Sequence, residues 1–496
     1  MARMDDAPNA WVLRVRSVEQ SGDAELENGR SLDLKERKDG FLVSRSVGWK
    51  SEAGLMVFDP NFHHTALTRS RVVHLDGAAG KLYYRGIDME KLVDEGCDFL
   101  QVAYLLIYGE LPSGELQKTW NSMVMHHTFV HEDVLEQIKT FRYDAPPMTI
   151  LVSSLAALST FAPEANPSLV ATNMFEDRRI RDKQIVRILG KVATIAACSY
   201  RVRIGRPLNY PDATGNLSYS ENFLALLDRM SEPRYRPDPR VVSLFDRMLV
   251  ALADIGMSSA TSLLHHVASS KVDPYNALST AIACTYGARI GSVGKHVLDM
   301  LEALPSDDAS VISEFIESAK SEKRRIPGFG HIVFKAYDPR ARVLKKIAIE
   351  AQELFGDDAQ GMLLRKAMRV EDVILGDPYF QTRHVFTNAD YYLALAQRIL
   401  GFPSDYFTVI VAMARTAGWL AHWNEMQQET ALKICRPRQV YMGHGRREYV
   451  DIDAREDGEF SADARLLSSV PSLDCTTEEA HAFGFERRRR STRGLL

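Results

Sequence analysis

From about residue 85 onward the apolar positions recur at three- and four-residue intervals, the spacing that turns one face of a helix toward a core. Residues 99–108 carry this pattern and stop at Gly109-Glu110-Leu111-Pro112, a helix terminator followed by a turn. A Pro146-Pro147 break precedes an apolar helix over 148–161, and another runs over 183–203 to the stop Gly205-Arg206-Pro207. Asn222 opens a further helix. The stretch 241–266 predicts one or two more, and 274–301 predicts a pair interrupted between Gly287 and Gly294. Strand signals are nearly absent here, so the bulk of the chain predicts an all-α bundle rather than an α/β fold. No repeat at a solenoid period is present.

The first 57 residues differ. Trp11-Val12-Leu13-Arg14-Val15 and Phe41-Leu42-Val43-Ser44 predict short strands, and the charged, Gly-bearing stretches between them (SGDAELENGR, KERKDG) predict turns. Residues 1–57 are therefore expected to form a small β-rich N-terminal module. The tail, 455–496, has little periodicity and is expected to be loosely ordered. Its run Arg487 to Arg490 reads as a solvated stretch rather than a binding patch.

Charge changes the picture mainly by exclusion. Over 496 residues, 61 Lys+Arg against 65 Asp+Glu leave a net charge of -4. Such a balance argues for neither a nucleic-acid nor a membrane-surface partner. No apolar run reaches membrane-spanning length, and the N-terminus lacks the apolar core of a signal peptide. The five cysteines (Cys97, Cys198, Cys284, Cys435 and Cys475) are odd in number and scattered, without a CxxC pair. That pattern fits a reducing compartment and offers no zinc site. The expectation is a cytoplasmic protein, with the organelle left open.

The candidate chemistry centres on residues 327–340, Pro-Gly-Phe-Gly-His-Ile-Val-Phe-Lys-Ala-Tyr-Asp-Pro-Arg. Gly-Phe-Gly-His alone reads as a tight turn carrying a histidine. With Asp338-Pro339-Arg340 at its fixed distance, the string resembles the signature of the citrate synthase family. The resemblance extends over about 58–450. It includes Phe58-Asp59-Pro60, the stretch from Leu75-Asp76-Gly77 to Arg85-Gly86 read as the start of the helical body, and Tyr104 to Pro112. Val411 to Trp419 and Arg436-Pro437-Arg438-Gln439 resemble late helices of the family. The β-like N-terminal module is similar to that of the longer, hexameric subtype.

The resemblance implies an all-α fold of two helical domains: a large one over 58–301 plus 411–454, and a small one over 302–410 that closes over the active site. It implies at least a dimer, as homodimer or hexamer, and condensation of an acyl-CoA with oxaloacetate. No metal and no permanently bound cofactor is implied, the acyl-CoA being a substrate. Such chemistry needs a base for a weakly acidic C–H, a donor for the developing enol, and cations for a dianionic 2-oxo acid. By resemblance Asp390, in Asn388-Ala389-Asp390-Tyr391, is the base; alone it reads equally as a helix N-cap. His331 is the donor to the ketone oxygen. Arg340, Arg415 and Arg436 are the carboxylate clamps, a task suited to the guanidinium fork, with Arg436 reaching into a neighbouring subunit. Independently of any family, Arg415 lies in an otherwise apolar helix, where an unpaired charge is costly.

Three family histidine positions are filled by apolar residues. The helix segment that resembles the family's Asp-His-Glu-x-Asn places Ile255 at the oxaloacetate-binding histidine and Leu252 at the one three residues before it. In the loop Gly287 to Gly294, Ile290 stands where the enol-stabilising histidine is expected. Ile cannot donate a hydrogen bond. His265, His266 and His296 are the nearby candidates for replacement. Two readings follow. One is a condensing enzyme for a bulkier or pre-activated thioester, of acyl-CoA or polyketide type, giving an alkylcitrate in secondary metabolism. The other is a catalytically impaired paralogue that binds organic acid or acyl-CoA, or pairs with an active subunit.

Overall fold

The computed structural model describes most of residues 59–455 and, ahead of them, three strand segments. The expected strand at Trp11 to Val15, Cys475 and the Arg487 to Arg490 run lie outside the described residues. Two compact units are distinguished, 1–58 with 438–496, and 59–437. In the first, Ser31–Glu36 pairs antiparallel with both Asp23–Glu25 and Leu42–Ser44. The last is the expected strand. Asp23–Glu25 occupies a stretch predicted as a turn, and Ser31–Glu36 runs from residues given no element into the second predicted turn at Lys35 and Glu36. The signal available there was alternation, since Leu32 and Leu34 flank Asp33 at period two within a polar segment.

The second unit is helical apart from one antiparallel meander, Val73–Asp76, Lys81–Tyr84 and Ile87–Asp88, in register Val73↔Tyr84, Asp76↔Lys81 and Tyr83↔Asp88. This corrects the reading of 75–86 as the start of the helical body. Leu82 and Tyr84 are buried while Lys81 and Tyr83 are not, so one face of the strand packs on the helices. The turn of the hairpin rests against the signature segment, where the Lys335 N–H donates to the Gly77 carbonyl at 2.8 Å.

Many of the helices begin where a side chain satisfies a free N–H group. Asp238, Asp273 and Asp338 each cap a helix that opens on proline. Ser218 and Glu221 form a capping box that starts a helix at Tyr219, three residues before the expected Asn222. Asp177 starts the long helix Arg178–Arg203 five residues early. The expected helix over 148–161 is α-helical only through Pro147–Ala157 and tightens to 3-10 over Leu158–Phe161. The segment 241–266 resolves into Pro239–Leu252 and Ser259–Ala268, and the interruption near Gly287 to Gly294 contains a short helical turn, Ala288–Gly291.

The core is organised by Phe407–Gln427, a helix buried on nearly every side, which packs on Phe99–Tyr108, Arg178–Arg203, Pro239–Leu252, Ser259–Ala268 and Pro274–Thr285. Beside it, Pro339–Phe355 packs on Ala389–Ile399 and on Pro239–Leu252. These contacts bring the ends of three helices together around the signature segment. Arg436 corrects a further expectation: it lies past the last long helix in a stretch without regular secondary structure, not in a helix. Among the described residues no helix is long and apolar enough to cross a membrane.

Candidate active site

The signature segment and the segment before Asp390 are stitched together through their backbones. Gly330 N–H donates to the Phe386 carbonyl (2.8 Å), Asn388 N–H to the Gly328 carbonyl (2.9 Å), and the Asn388 side-chain amide to the Gly330 carbonyl (2.9 Å). Gly328 is required here twice over. Its φ is +84°, and a Cβ would meet the Tyr391 ring at 2.4 Å.

His331 follows directly. Its Nδ1 accepts from the Val333 and Phe334 N–H groups at 3.1 and 3.0 Å. With Nδ1 an acceptor, the neutral ring carries its proton on Nε2 and can donate from there. Burial, and next the charge of Arg340, push the imidazole down to about 4, so the neutral donor form persists at ordinary pH.

Asp338 caps the next helix and grips Arg340 sideways. Its oxygens accept from Arg340 Nε at 3.0 Å and Nη2 at 2.6 Å, and from the Ala389 N–H at 3.2 Å. Both residues of the pair are buried. The Nε edge of the guanidinium is thus occupied, which leaves the Nη1/Nη2 edge to meet a ligand carboxylate. Arg415, 7% exposed, donates through Nε to the Leu252 carbonyl at 2.9 Å. Its two Nη groups have no hydrogen-bond partner among the described residues. Burial, opposed by the charge of Asp254, lowers its pKa.

Asp390 stands in the first turn of Ala389–Ile399. The N-cap role that the sequence left open for it belongs to Asn388, whose Oδ1 accepts the Asp390 N–H at 3.0 Å. The Asp390 carboxylate has no hydrogen-bond or ion-pair partner among the described residues. Burial raises its pKa, against the pull of Arg340 and Arg415 and with the push of Asp338. His331, Arg340, Asp390 and Arg415 therefore form one electrostatic neighbourhood: a donor, two cations with open edges, and a carboxyl held above its usual range. Clustered, perturbed groups of this kind make a functional-site candidate.

The three apolar replacements fall in two environments. Leu252 is fully buried and Ile255 packs against the core. Ile290 is 46% exposed on the short Ala288–Gly291 turn. That turn is fixed by a hydrogen bond from Thr408 Oγ1 to the Gly291 carbonyl (3.1 Å), and Gly294 just beyond it lies against Phe407 and Ala394, one turn along the helix of Asp390. Of the nearby histidines one is buried with its Nε2 lacking a hydrogen-bond partner among the described residues (His265), one is engaged and one is exposed. His265 is buried with its ring 6.1 Å from that of His422, His266 Nδ1 bonds the Ser262 carbonyl, and His296 is exposed. Arg436 is exposed and has no ion pair among the described residues; the Cys435 N–H beside it donates to Ser269 Oγ at 2.9 Å.

Sequence reasoning missed the supports. Asp254 and His422 form a buried pair at 2.9 Å behind Arg415. Gly418 makes room for it, since a Cβ there would meet Asp254 at 2.6 Å. The Tyr84 hydroxyl lies 3.2 Å from the carbonyl oxygens of both Val250 and Asp254 and accepts from the Asp254 N–H at 3.3 Å. A buried aspartate between apolar neighbours, Ala253-Asp254-Ile255, was the available signal. Among the described residues, no group of three or more His, Cys, Asp or Glu is arranged to hold a metal ion.

Known proteins are similar to this chain over most of its length. The family model described as citrate synthase, C-terminal domain, matches residues 61–438. The chain is similar to a citrate synthase of Dictyostelium discoideum, 44% identical over 85% of this chain and 81% of that protein. It is also similar to a peroxisomal citrate synthase of the same organism, 41% identical over 90% and 91%. Among solved structures, the citrate synthase of Pyrobaculum aerophilum superposes with a TM-score of 0.72 at 29% identity, covering 79% of this chain and 94% of that one.

Proposed function

This chain belongs to the citrate synthase family, and from that premise we propose that it condenses an acyl-CoA thioester with oxaloacetate, or a related 2-oxo acid, to a citrate or alkylcitrate. The observation that carries the reading is the unpartnered, pKa-raised carboxyl of Asp390 beside the open edges of Arg340 and Arg415. In this reading Arg340 and Arg415 hold the carboxylates of the 2-oxo acid, and Arg436 of a neighbouring subunit completes the clamp. His331 donates from Nε2 to the ketone oxygen. Asp390 takes a proton from the carbon next to the thioester carbonyl. That carbon attacks the ketone carbon, and the ketone oxygen takes up a proton to become the hydroxyl. Water then hydrolyses the thioester, releasing CoA and the new carboxylate.

The departure at Ile290 sets the substrate preference in this proposal. Without a side-chain donor there, the enolate of a plain acetyl thioester is poorly held, and losing one such donor typically costs about 100- to 1000-fold in rate. A longer acyl chain gains apolar contact with an exposed isoleucine, and a 3-oxoacyl thioester has a more acidic α-carbon. The domain closure of 302–410 over 58–301 plus 411–454, and a homodimer or hexamer, belong to the same proposal. The cytoplasm is the proposed compartment, and the peroxisomal relative adds that organelle as a second one.

The apolar residues at 252, 255 and 290 favour a second reading, a binding paralogue without turnover. Thiol release in the presence of oxaloacetate separates the two. The condensation reading expects oxaloacetate-dependent release from some acyl-CoA that Asp390→Asn abolishes. Absence of release with every thioester, while oxaloacetate still binds through Arg415, establishes the paralogue instead.

A further inference from the structure

Glu371 lies in the helix Asp358–Gly376, which contributes no residue to the condensation chemistry, and it is 1% exposed. Its carboxylate nevertheless collects four donors. Oε1 accepts from the Tyr337 hydroxyl (2.7 Å) and Thr387 Oγ1 (2.8 Å). Oε2 accepts from the Tyr392 hydroxyl (2.6 Å) and Lys345 Nζ (2.5 Å). Burial opposes its ionisation, but Lys345, Tyr392, Tyr337 and Thr387 together outweigh it and hold the carboxyl below the usual range.

The source of those donors matters more than their number. Tyr337 immediately precedes Asp338, the residue that grips Arg340. Thr387 and Tyr392 bracket Asp390. Lys345 sits on the helix that Arg340 begins. All four come from the two segments that carry the site, and both ends of the Asp390 turn are tied to one carboxylate. The Tyr391 hydroxyl adds a third tie, to the Ala367 carbonyl on the helix of Glu371 (2.8 Å).

We propose that Glu371 is a positioning residue of this site, a single buried anchor that fixes the Asp390 turn against the His331 segment and so sets where the Asp390 carboxylate meets the thioester. The proposal rests on the condensation reading for its catalytic consequence and on the geometry alone for its mechanical one. A displacement of about 1 Å at a reacting group costs roughly 100-fold.

Three variants test it. Glu371→Leu removes all four acceptor contacts. Glu371→Gln can keep them, because its Oε1 can accept from Lys345 and Tyr392 while its amide N–H groups donate to the Tyr337 and Thr387 hydroxyls. Thr387→Val removes one arm only and is the milder probe should the first variant fold poorly. With the best acyl-CoA, Glu371→Leu should lower kcat about 30- to 100-fold while KM for oxaloacetate stays within about threefold. A primary isotope effect with α-deuterated acyl-CoA should rise as proton removal becomes limiting, and Glu371→Gln should stay at least about tenfold more active than Glu371→Leu. A purely structural glutamate would lower Tm and leave the isotope effect unmoved, and that result overturns the proposal. If the wild type turns over no thioester, the condensation reading fails separately. Amide exchange of the ligand-free protein then decides the anchor. Segments 328–338 and 386–392 should exchange together at least about tenfold faster in Glu371→Leu, and unchanged exchange overturns it.

Discussion

Arg415 is aimed by a carbonyl: its Nε donates to the main-chain oxygen of Leu252 at 2.9 Å. Leu252 stands where the family resemblance expects a histidine, yet the group that orients the guanidinium is backbone and survives any side chain there. This explains how an apolar replacement leaves the aim of Arg415, the proposed clamp, undisturbed. Arg415→Lys removes the Nε–H and the fork together. Each charge-assisted hydrogen bond contributes about 1.5–3 kcal/mol, so calorimetry should show oxaloacetate binding weakened at least ~100-fold. Unchanged affinity would place the 2-oxo acid elsewhere.

The pH profile should carry the signature of Asp390. A general base works only when ionised, and burial raises this carboxyl above its ordinary value. The rate kcat/KM should therefore rise with pH along a limb lying above the ~4 of ordinary carboxylates. His331, pushed down to about 4, stays neutral across that window and contributes no limb of its own above it. Asp390→Asn should remove the limb and about 100- to 10,000-fold of the rate. A limb that persists in that variant would assign proton removal to another group.

A second buried carboxyl sets a stability profile. Asp246 accepts from the Phe99 N–H at 3.0 Å and from Ser220 Oγ at 2.5 Å, and burial pushes it up to about 7. Folding therefore favours its protonated form. The stability this contributes is full below the unfolded carboxyl's ~4 and is lost as pH rises through about 7. Asp246→Asn escapes the loss, since an amide can donate to Ser220 and accept from Phe99. Its Tm should exceed that of the wild type by more at pH 8 than at pH 5. A gap independent of pH would contradict the assignment.

The Asp254–His422 pair should be expensive to break. Both side chains are fully enclosed, and Asp254 Oδ1 has no hydrogen-bond partner, so His422 is the main support of that carboxylate. His422→Ala should lower unfolding free energy by roughly 3 kcal/mol, the scale for stranding a buried charge, read from denaturant midpoints. A loss under about 0.5 kcal/mol, the level of an ordinary surface change, would mean that Asp254 is not held as described.

Some helix boundaries were legible in local chemistry, while the capping box of Ser218 and Glu221 and the Asp177 cap were overlooked although the sequence carries them. Asp273-Pro274 and Asp338-Pro339 announce caps, and the Pro146-Pro147 break ends where a helix begins. The meander at 73–88 was not legible as strands, because its one-sided burial of Leu82 and Tyr84 arises from the helices it packs against. His331, Arg340, Arg415 and Asp390 were named as candidates from the signature and its companions, and the structure brings them together. Their supports were not named. Glu371 sits in a charged stretch, Arg369-Val370-Glu371-Asp372, that reads as a solvated helix face. Only the tertiary arrival of Tyr337, Thr387, Tyr392 and Lys345 distinguishes it from Asp372 next door.

The central claim is that Ile290 turns a condensing site away from acetyl-CoA and toward longer or pre-activated thioesters. One additional buried methylene is worth about 0.8 kcal/mol, roughly fourfold in affinity, and such remote contact can offset part of a lost enol donor. The decisive measurement is kcat/KM with oxaloacetate for acetyl-CoA against six- to ten-carbon acyl- and 3-oxoacyl-CoAs, in the wild type and in Ile290→His. The account predicts that the wild type prefers the longer or 3-oxo thioesters and that Ile290→His shifts the preference toward acetyl-CoA by raising its turnover. A wild type that favours acetyl-CoA, with Ile290→His leaving the ranking unchanged, would contradict it.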